Sequence, residues 1–79
     1  MDKKIYNLVV SGKSDNNIRF GVFESLIIAL GFTFLRQKGS HSMYYHSGIN
    51  EFMNIQPEEN KAKGYQVEQL RFIIMKYGL

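Results

Sequence analysis

The chain has 79 residues, no cysteine and a formal net charge of +3. A chain of this length forms one small domain, and without cysteine it has neither disulfides nor thiolate-ligated zinc to supplement its core. Its composition is that of a globular protein, and no charge-free apolar run is long enough for a membrane-spanning helix. These features exclude a membrane protein, a disulfide scaffold and a disordered chain. They predict one soluble, cytoplasmic domain over residues 1–79.

The amino-terminal segment is predicted to be an extension of this domain. Residues 3–10 are rich in β-branched and aromatic side chains, which favours a strand. Residues 11–17 are rich in glycine, serine, aspartate and asparagine, which is typical of a loop. We therefore expect residues 1–13 to form an extra edge strand or a contact with a partner.

A helix is predicted next in the chain. Its apolar residues recur at helical spacing: Phe20, Phe23, Leu26, Ile27 and Leu30. Gly31 suits the end of such a helix. Gly21 suits the N-cap, with Glu24 three residues later, whereas Asp15 is an alternative cap that lengthens the helix by about a turn and a half. We favour the start at Gly21.

Three short strands are predicted over residues 32–37, 41–46 and 51–56, joined by turns. Connections this short require antiparallel pairing of neighbouring strands. Simple alternation puts Phe34 and Arg36 on the same face of the first strand, together with Phe32. Pro57 has no N–H to donate, so the third strand should end there, and residues 58–64 should form a loop.

The last predicted element is a helix from Tyr65 to Tyr77, closed by Gly78. Its apolar stripe consists of Val67, Leu70, Ile74 and Tyr77. Residues 72–75 make the helix apolar nearly all round, which predicts either deep burial or a partner surface. The order α-β-β-β-α predicts an α+β fold, in which two helices cover one face of a three-stranded antiparallel sheet.

The charges are distributed unevenly, because residues 25–50 contain no aspartate or glutamate. That segment holds Arg36 and Lys38, and His41 follows the Gly39–Ser40 turn where a strand begins. A glycine lets a phosphate backbone approach closely, and the two cations can neutralise it. Histidine is suited to the proton transfers of RNA cleavage near neutral pH. The alternative is a partly exposed histidine without a chemical role.

The other polar candidates are weaker. Lys61 and Lys63 flank the final helix and either contact phosphate or lie in a solvated loop. His46 and His41 are five residues apart on one strand and should point to opposite faces, so we predict no shared metal ion and no cofactor. Of the pair Tyr44–Tyr45, we expect one ring in the core and one on the sheet surface, where it can stack on a base.

Three segments, Leu30–Phe32, Arg36–His41 and Lys76–Leu79, together resemble the HicA family. HicA proteins are the small messenger-RNA-cleaving toxins of HicAB toxin–antitoxin systems. The resemblance is carried mainly by Leu-Gly-Phe followed by Gly-Ser-His, and it covers residues 18–79. The stretch Asn54–Pro57 is similar to one branch of the HicA-like proteins.

The resemblance implies a double-stranded-RNA-binding-domain-like fold and a metal-independent endoribonuclease, an mRNA interferase, with His41 as its one essential histidine. It also implies a HicB-type antitoxin that covers this histidine. The residues expected to contact RNA are Arg36, Lys38, Gly39, Ser40, Lys61 and Lys63. Many HicA proteins have a second histidine or another polar residue after the motif histidine, where this chain has Ser42. Many also have a Pro-His pair in the third strand, where residues 53–56 of this chain contain no histidine. A non-catalytic RNA-binding module on the same fold is the alternative function.

Overall fold

The computed structural model describes residues 3–79. Its elements in chain order are α1 (Lys3–Ser11), α2 (Phe20–Ala29), β1 (Thr33–Lys38), β2 (His41–His46), β3 (Glu51–Ile55), β4 (Pro57–Glu58), β5 (Lys61–Ala62) and α3 (Gly64–Tyr77). Strands β1, β2 and β3 form an antiparallel sheet in that order, and β4 and β5 form a separate hairpin. The predicted α+β class and the α-β-β-β-α order are confirmed for α2 to α3, and they are compatible with a double-stranded-RNA-binding-domain-like fold.

One apolar core lies between the sheet and the helices. Along β3, Met53 and Ile55 are fully buried whereas Phe52 and Asn54 are exposed, so only one face of the sheet is covered. The helices supply the other side of the core, with Phe23, Leu26 and Ile27 from α2 and Val67, Leu70, Ile73 and Ile74 from α3. The second face of the sheet remains open within the described part of the chain. No helix of residues 3–79 has the length and apolar character needed to cross a bilayer.

The strand predicted for residues 3–10 is wrong, because these residues form α1. Ile5, Tyr6, Val9 and Val10 repeat at the spacing of one helical face, and Val9 is fully buried among the core residues. α1 packs against α2 and α3 rather than adding an edge to the sheet. A strand was predicted because the segment is rich in β-branched residues, whereas the spacing of its apolar residues is that of a helix. Residues 1 and 2, the start of the predicted extension, lie outside the described residues.

α2 begins at Phe20, with Arg19 as its N-cap in place of the predicted Gly21. Asp15, the alternative cap, has a different role. Both of its carboxylate oxygens accept hydrogen bonds of 2.9 Å from Arg71, which also donates to the carbonyl oxygen of Val9 at 2.9 Å. The hydrogen bonds to Asp15 raise the pKa of the Arg71 guanidinium. Arg71 therefore ties α1 and the following loop to α3.

Residues 58–64 were predicted as a loop, but most of the β4–β5 hairpin lies there, and α3 begins at Gly64. The β3 ladder does end at Ile55, ahead of Pro57, as expected for a residue without an N–H. The apolar run of α3 is divided: Ile73 and Ile74 are buried, whereas Phe72 and Met75 are 64% and 69% exposed.

Candidate functional site

A β-bulge in β1 places Arg36 on the open face of the sheet. The strand register pairs Phe34 with Tyr44 and Arg36 with Met43, so Leu35 is an extra residue. The prediction that Phe34 and Arg36 share one face is therefore wrong. The Phe34 ring contacts the edge of the buried Tyr44 ring, with 5.6 Å between centroids, whereas Arg36 lies beside Met43. An alternation pattern does not reveal such a bulge.

A groove of about 610 Å³ lies on this open face. Its lining residues come from all three strands and the first turn: Arg36, Lys38, Gly39, His41, Met43 and Asn54. Lys38 pairs with His41 across the β1–β2 ladder, and Gly39 makes the turn between them with a φ of +60°. A Cβ at Gly39 would meet no atom within 4 Å, so a ligand can approach the backbone there. None of the lining residues is acidic, and the groove is therefore cationic.

His41 is exposed, and its ring is held by Asn54. The His41 Nδ1 atom lies 3.1 Å from Asn54 Oδ1. With the amide oxygen as acceptor, the neutral ring carries its hydrogen on Nδ1 and has a lone pair on Nε2. Within residues 3–79, no protein group hydrogen-bonds Nε2. Asn54 was not predicted as part of the site, because its only signal is a polar side chain on the exposed face of the neighbouring strand.

Lys63 is joined to the end of this groove through Gln56. Lys63 Nζ donates to Gln56 Oε1 at 3.0 Å, and Gln56 Nε2 donates to Ser40 Oγ at 2.9 Å. The backbone N–H of Gln56 donates to the side chain of Gln66, which is buried. These hydrogen bonds connect Lys63, the N-cap of α3, to Ser40, the residue that precedes His41. Neither glutamine was predicted as part of the site.

Lys61 stands apart from the other predicted RNA contacts. It lies on the β4–β5 hairpin opposite Glu58, and it lines a second groove together with Glu58, Glu59 and Lys63. Unlike Lys63, it has no hydrogen bond to Gln56. The neighbouring carboxylates offset its charge. The structure thus brings Arg36, Lys38, Gly39, Ser40, His41 and, through Gln56, Lys63 together, and it leaves Lys61 outside.

His46 lies on the opposite face from His41, as predicted. Its Nε2 atom is 3.1 Å from the carbonyl oxygen of Leu30, and its Nδ1 accepts the backbone N–H of Gly48 at 3.1 Å. Gly31 has a φ of +107°, and a Cβ on it would lie 2.6 Å from His46 Nε2. The Leu-Gly-Phe motif therefore has a structural role at this position. Among the described residues, no three side chains of His, Cys, Asp or Glu are grouped to hold a metal ion.

The two adjacent tyrosines divide between core and surface, as predicted. Tyr44 is 3% exposed, and its hydroxyl donates to Glu24 Oε2 at 2.8 Å. Burial, followed by the hydrogen bond to Glu24, raises the pKa of Tyr44 to about 12. Tyr45 lies on the open face, where its ring centroid is 4.6 Å from that of Phe52.

The groove thus presents an imidazole, two cationic side chains and an accessible backbone turn on an open sheet face. Such a set can bind a phosphodiester, and its imidazole can accept a proton from an adjacent hydroxyl or donate one to a leaving oxygen. Comparisons with protein-family models, curated proteins and solved structures find no match to this chain.

Proposed function

We propose that this protein is an endoribonuclease that cleaves messenger RNA without a metal ion, as the toxin of a toxin–antitoxin pair. The observation that carries this proposal is the exposed imidazole of His41, held by Asn54 in a groove that also contains Arg36 and Lys38. The resemblance of the Gly39–His41 motif to the HicA family supports the same activity. It also suggests a HicB-type antitoxin as the partner and the cytoplasm as the compartment.

The proposed reaction begins when His41 Nε2 accepts the proton of a ribose 2′-hydroxyl. The 2′-oxygen then attacks the adjacent phosphorus, and the bond from phosphorus to the 5′-oxygen breaks. The leaving oxygen takes a proton from the imidazolium or from water, which gives a 2′,3′-cyclic phosphate and a 5′-hydroxyl. Arg36 and Lys38 stabilise the charge that develops on the non-bridging oxygens.

The test is incubation of the purified protein with a naked transcript in the presence of a chelator. A positioned general base typically contributes about 10²- to 10⁴-fold in rate, so His41→Gln should lose that much. Gln69→Ala, at an exposed position on α3, is the matched control and should cleave like the unmodified protein. Fragments should end in 2′,3′-cyclic phosphate. Equal cleavage by the unmodified protein and His41→Gln would contradict the proposal.

A non-catalytic RNA-binding module is the second candidate, and one observation favours it. His41 is the only histidine among the residues that line the groove, and no carboxylate lines it. A second acid–base side chain is thus not supplied by this lining. The module would bind RNA with an affinity that falls as salt rises, and the transcript would stay intact even after long incubation.

A further inference from the structure

We infer that the Tyr45–Phe52 pair is a base-stacking subsite on the same sheet face as His41, and that the site accepts unpaired RNA rather than a duplex. The inference rests on the proposed function of the groove and adds its substrate class.

The two rings and His41 lie on the same face of the sheet. His41, Met43 and Tyr45 alternate along β2, so their side chains share the open face. Phe52 is directly opposite Tyr45 in the β2–β3 ladder, and Asn54 is opposite Met43. Four residues along a strand correspond to about 13 Å, so the aromatic pair lies about that far from His41. A strand of RNA bound at His41 can continue across the face to the two rings.

The aromatic pair forms a fixed and accessible surface. The ring centroids of Tyr45 and Phe52 are 4.6 Å apart with 35° between the planes. The Tyr45 hydroxyl donates to Asn50 Oδ1 at 3.0 Å, which orients that ring. Phe52 is 51% exposed, although it lies in a regular strand whose alternate residues are fully buried. Tyr45 is partly exposed, and neither ring belongs to the core, so the pair is available to a ligand.

The charges around the pair favour RNA over an acidic or purely apolar partner. The groove that adjoins it contains Arg36 and Lys38 and no carboxylate. Glu51 is the only acidic residue of β1, β2 and β3, and its Oε2 atom accepts a hydrogen bond of 2.7 Å from Tyr77 on the helical side. Cationic side chains and accessible aromatic rings on one surface are the features that bind single-stranded nucleic acid.

The aromatic surface distinguishes unpaired from paired RNA. In an A-form duplex the faces of the bases are stacked on one another, and proteins contact mainly phosphates and 2′-hydroxyls. Tyr45 and Phe52 can stack only on bases that are exposed. The binding energy of the pair is thus available to a single strand and is lost with a duplex.

The experiment measures RNA binding in the His41→Gln background, where cleavage does not interfere. The probes are a single-stranded oligoribonucleotide and the duplex of the same sequence at one salt concentration. We expect tighter binding of the single strand. Phe52→Ala should weaken it about 5- to 150-fold, the range for loss of one stacked base. Phe72→Ala, at a 64% exposed position on α3, is the matched control and should leave binding unchanged.

Phe52→Leu separates stacking from apolar contact, because it keeps apolar area without an aromatic face. It should weaken binding as Phe52→Ala does. Equal affinity of Phe52→Ala and Phe72→Ala for the single strand would overturn the inference, as would equal or tighter binding of the duplex. If the His41-containing protein does not cleave but Phe52→Ala still weakens binding, the nuclease proposal fails and the stacking subsite stands. If that protein cleaves and Phe52→Ala binds RNA normally, the nuclease proposal stands and the stacking subsite fails.

Discussion

The Oδ1 atom of Asn54 lies 3.1 Å from the Nδ1 atom of His41, on the neighbouring strand of the sheet. This contact fixes the orientation of the imidazole and selects the tautomer in which Nε2 is the proton acceptor. In the proposed nuclease, Asn54 is thus a positioning residue. The groove has no carboxylate to do this, so an amide performs the task.

We predict that Asn54→Ala lowers the rate of RNA cleavage by up to about 10²-fold. The reason is that the His41 imidazole, which acts as the general base, loses its alignment with the 2′-hydroxyl. RNA affinity should change little, since the cations of the groove remain. Single-turnover cleavage and binding assays separate the two effects. Nitrogen chemical shifts of His41 should show a mixture of tautomers in the variant. Unchanged shifts together with an unchanged rate would contradict the positioning role, and Asn7→Ala on α1 is the matched control.

His41 is easier to predict as a site residue from the sequence than the residues that surround it in the folded protein. The turn of Gly39 and Ser40 and the cations upstream are local signals, readable within six positions. Asn54 and Gln56 reach the same site only through the β2–β3 register, which a single sequence does not specify. The bulge at Leu35 is likewise a tertiary feature, and without it Arg36 would face the helices.

The secondary-structure elements likewise divide into those predictable from local sequence patterns and those that depend on tertiary contacts. The helices over Phe20–Ala29 and Gly64–Tyr77 were predictable because apolar residues repeat on one face and glycines follow. α1 was missed because β-branched residues favour strands when considered alone. Its helical form is stabilised by burial of Val9 and by the hydrogen bond from Arg71, both of which depend on the rest of the fold.

Lys63 and Lys61 make a matched pair for RNA binding. Lys63 is hydrogen-bonded through Gln56 to Ser40 beside His41, whereas Lys61 lies opposite Glu58. We predict that Lys63→Ala weakens RNA binding and reduces the slope of log affinity against log salt by about 1. Lys61→Ala should change both quantities less. Titrations at several salt concentrations measure this. A larger loss with Lys61→Ala would place the RNA on the hairpin instead.

The buried hydroxyl of Tyr44 makes the free energy of unfolding depend on pH in the alkaline range. Its pKa in the folded protein is raised from 10.0 to about 12, so folding favours the neutral phenol. The resulting stabilisation is complete below pH 10 and is lost as the pH rises from 10 to 12, because the unfolded chain ionises first.

We predict that Tyr44→Phe is less stable at pH 8 by about 1–3 kcal/mol, since Glu24 loses its hydrogen-bond donor. The difference from the unmodified protein should narrow between pH 10 and pH 12. Urea unfolding across this range measures it. Tyr65→Phe, at a 62% exposed position, is the control for the other tyrosines and should give no such change. A constant difference for Tyr44→Phe would contradict the assigned cause.

Arg71 connects the carboxyl end of α1 to α3 through hydrogen bonds. Its guanidinium donates to both carboxylate oxygens of Asp15 and to the carbonyl oxygen of Val9, which lies in the last turn of α1. The two charged side chains are 23% and 21% exposed, so their interaction is only partly screened by water.

We predict that Arg71→Met destabilises the protein by about 1.5–3 kcal/mol, the range for hydrogen bonds to charged groups. Asp15→Asn should cost less, because the bond to Val9 remains. A double-mutant cycle by urea unfolding isolates the coupling between Arg71 and Asp15. Arg19→Met is the control, since the Arg19 side chain makes no hydrogen bond within the described residues. Hydrogen exchange distinguishes local from global destabilisation. Arg71→Met should accelerate the exchange of amide protons in α1 more than in β2. Equal acceleration in both elements would mean that Arg71 stabilises the whole domain rather than the docking of α1.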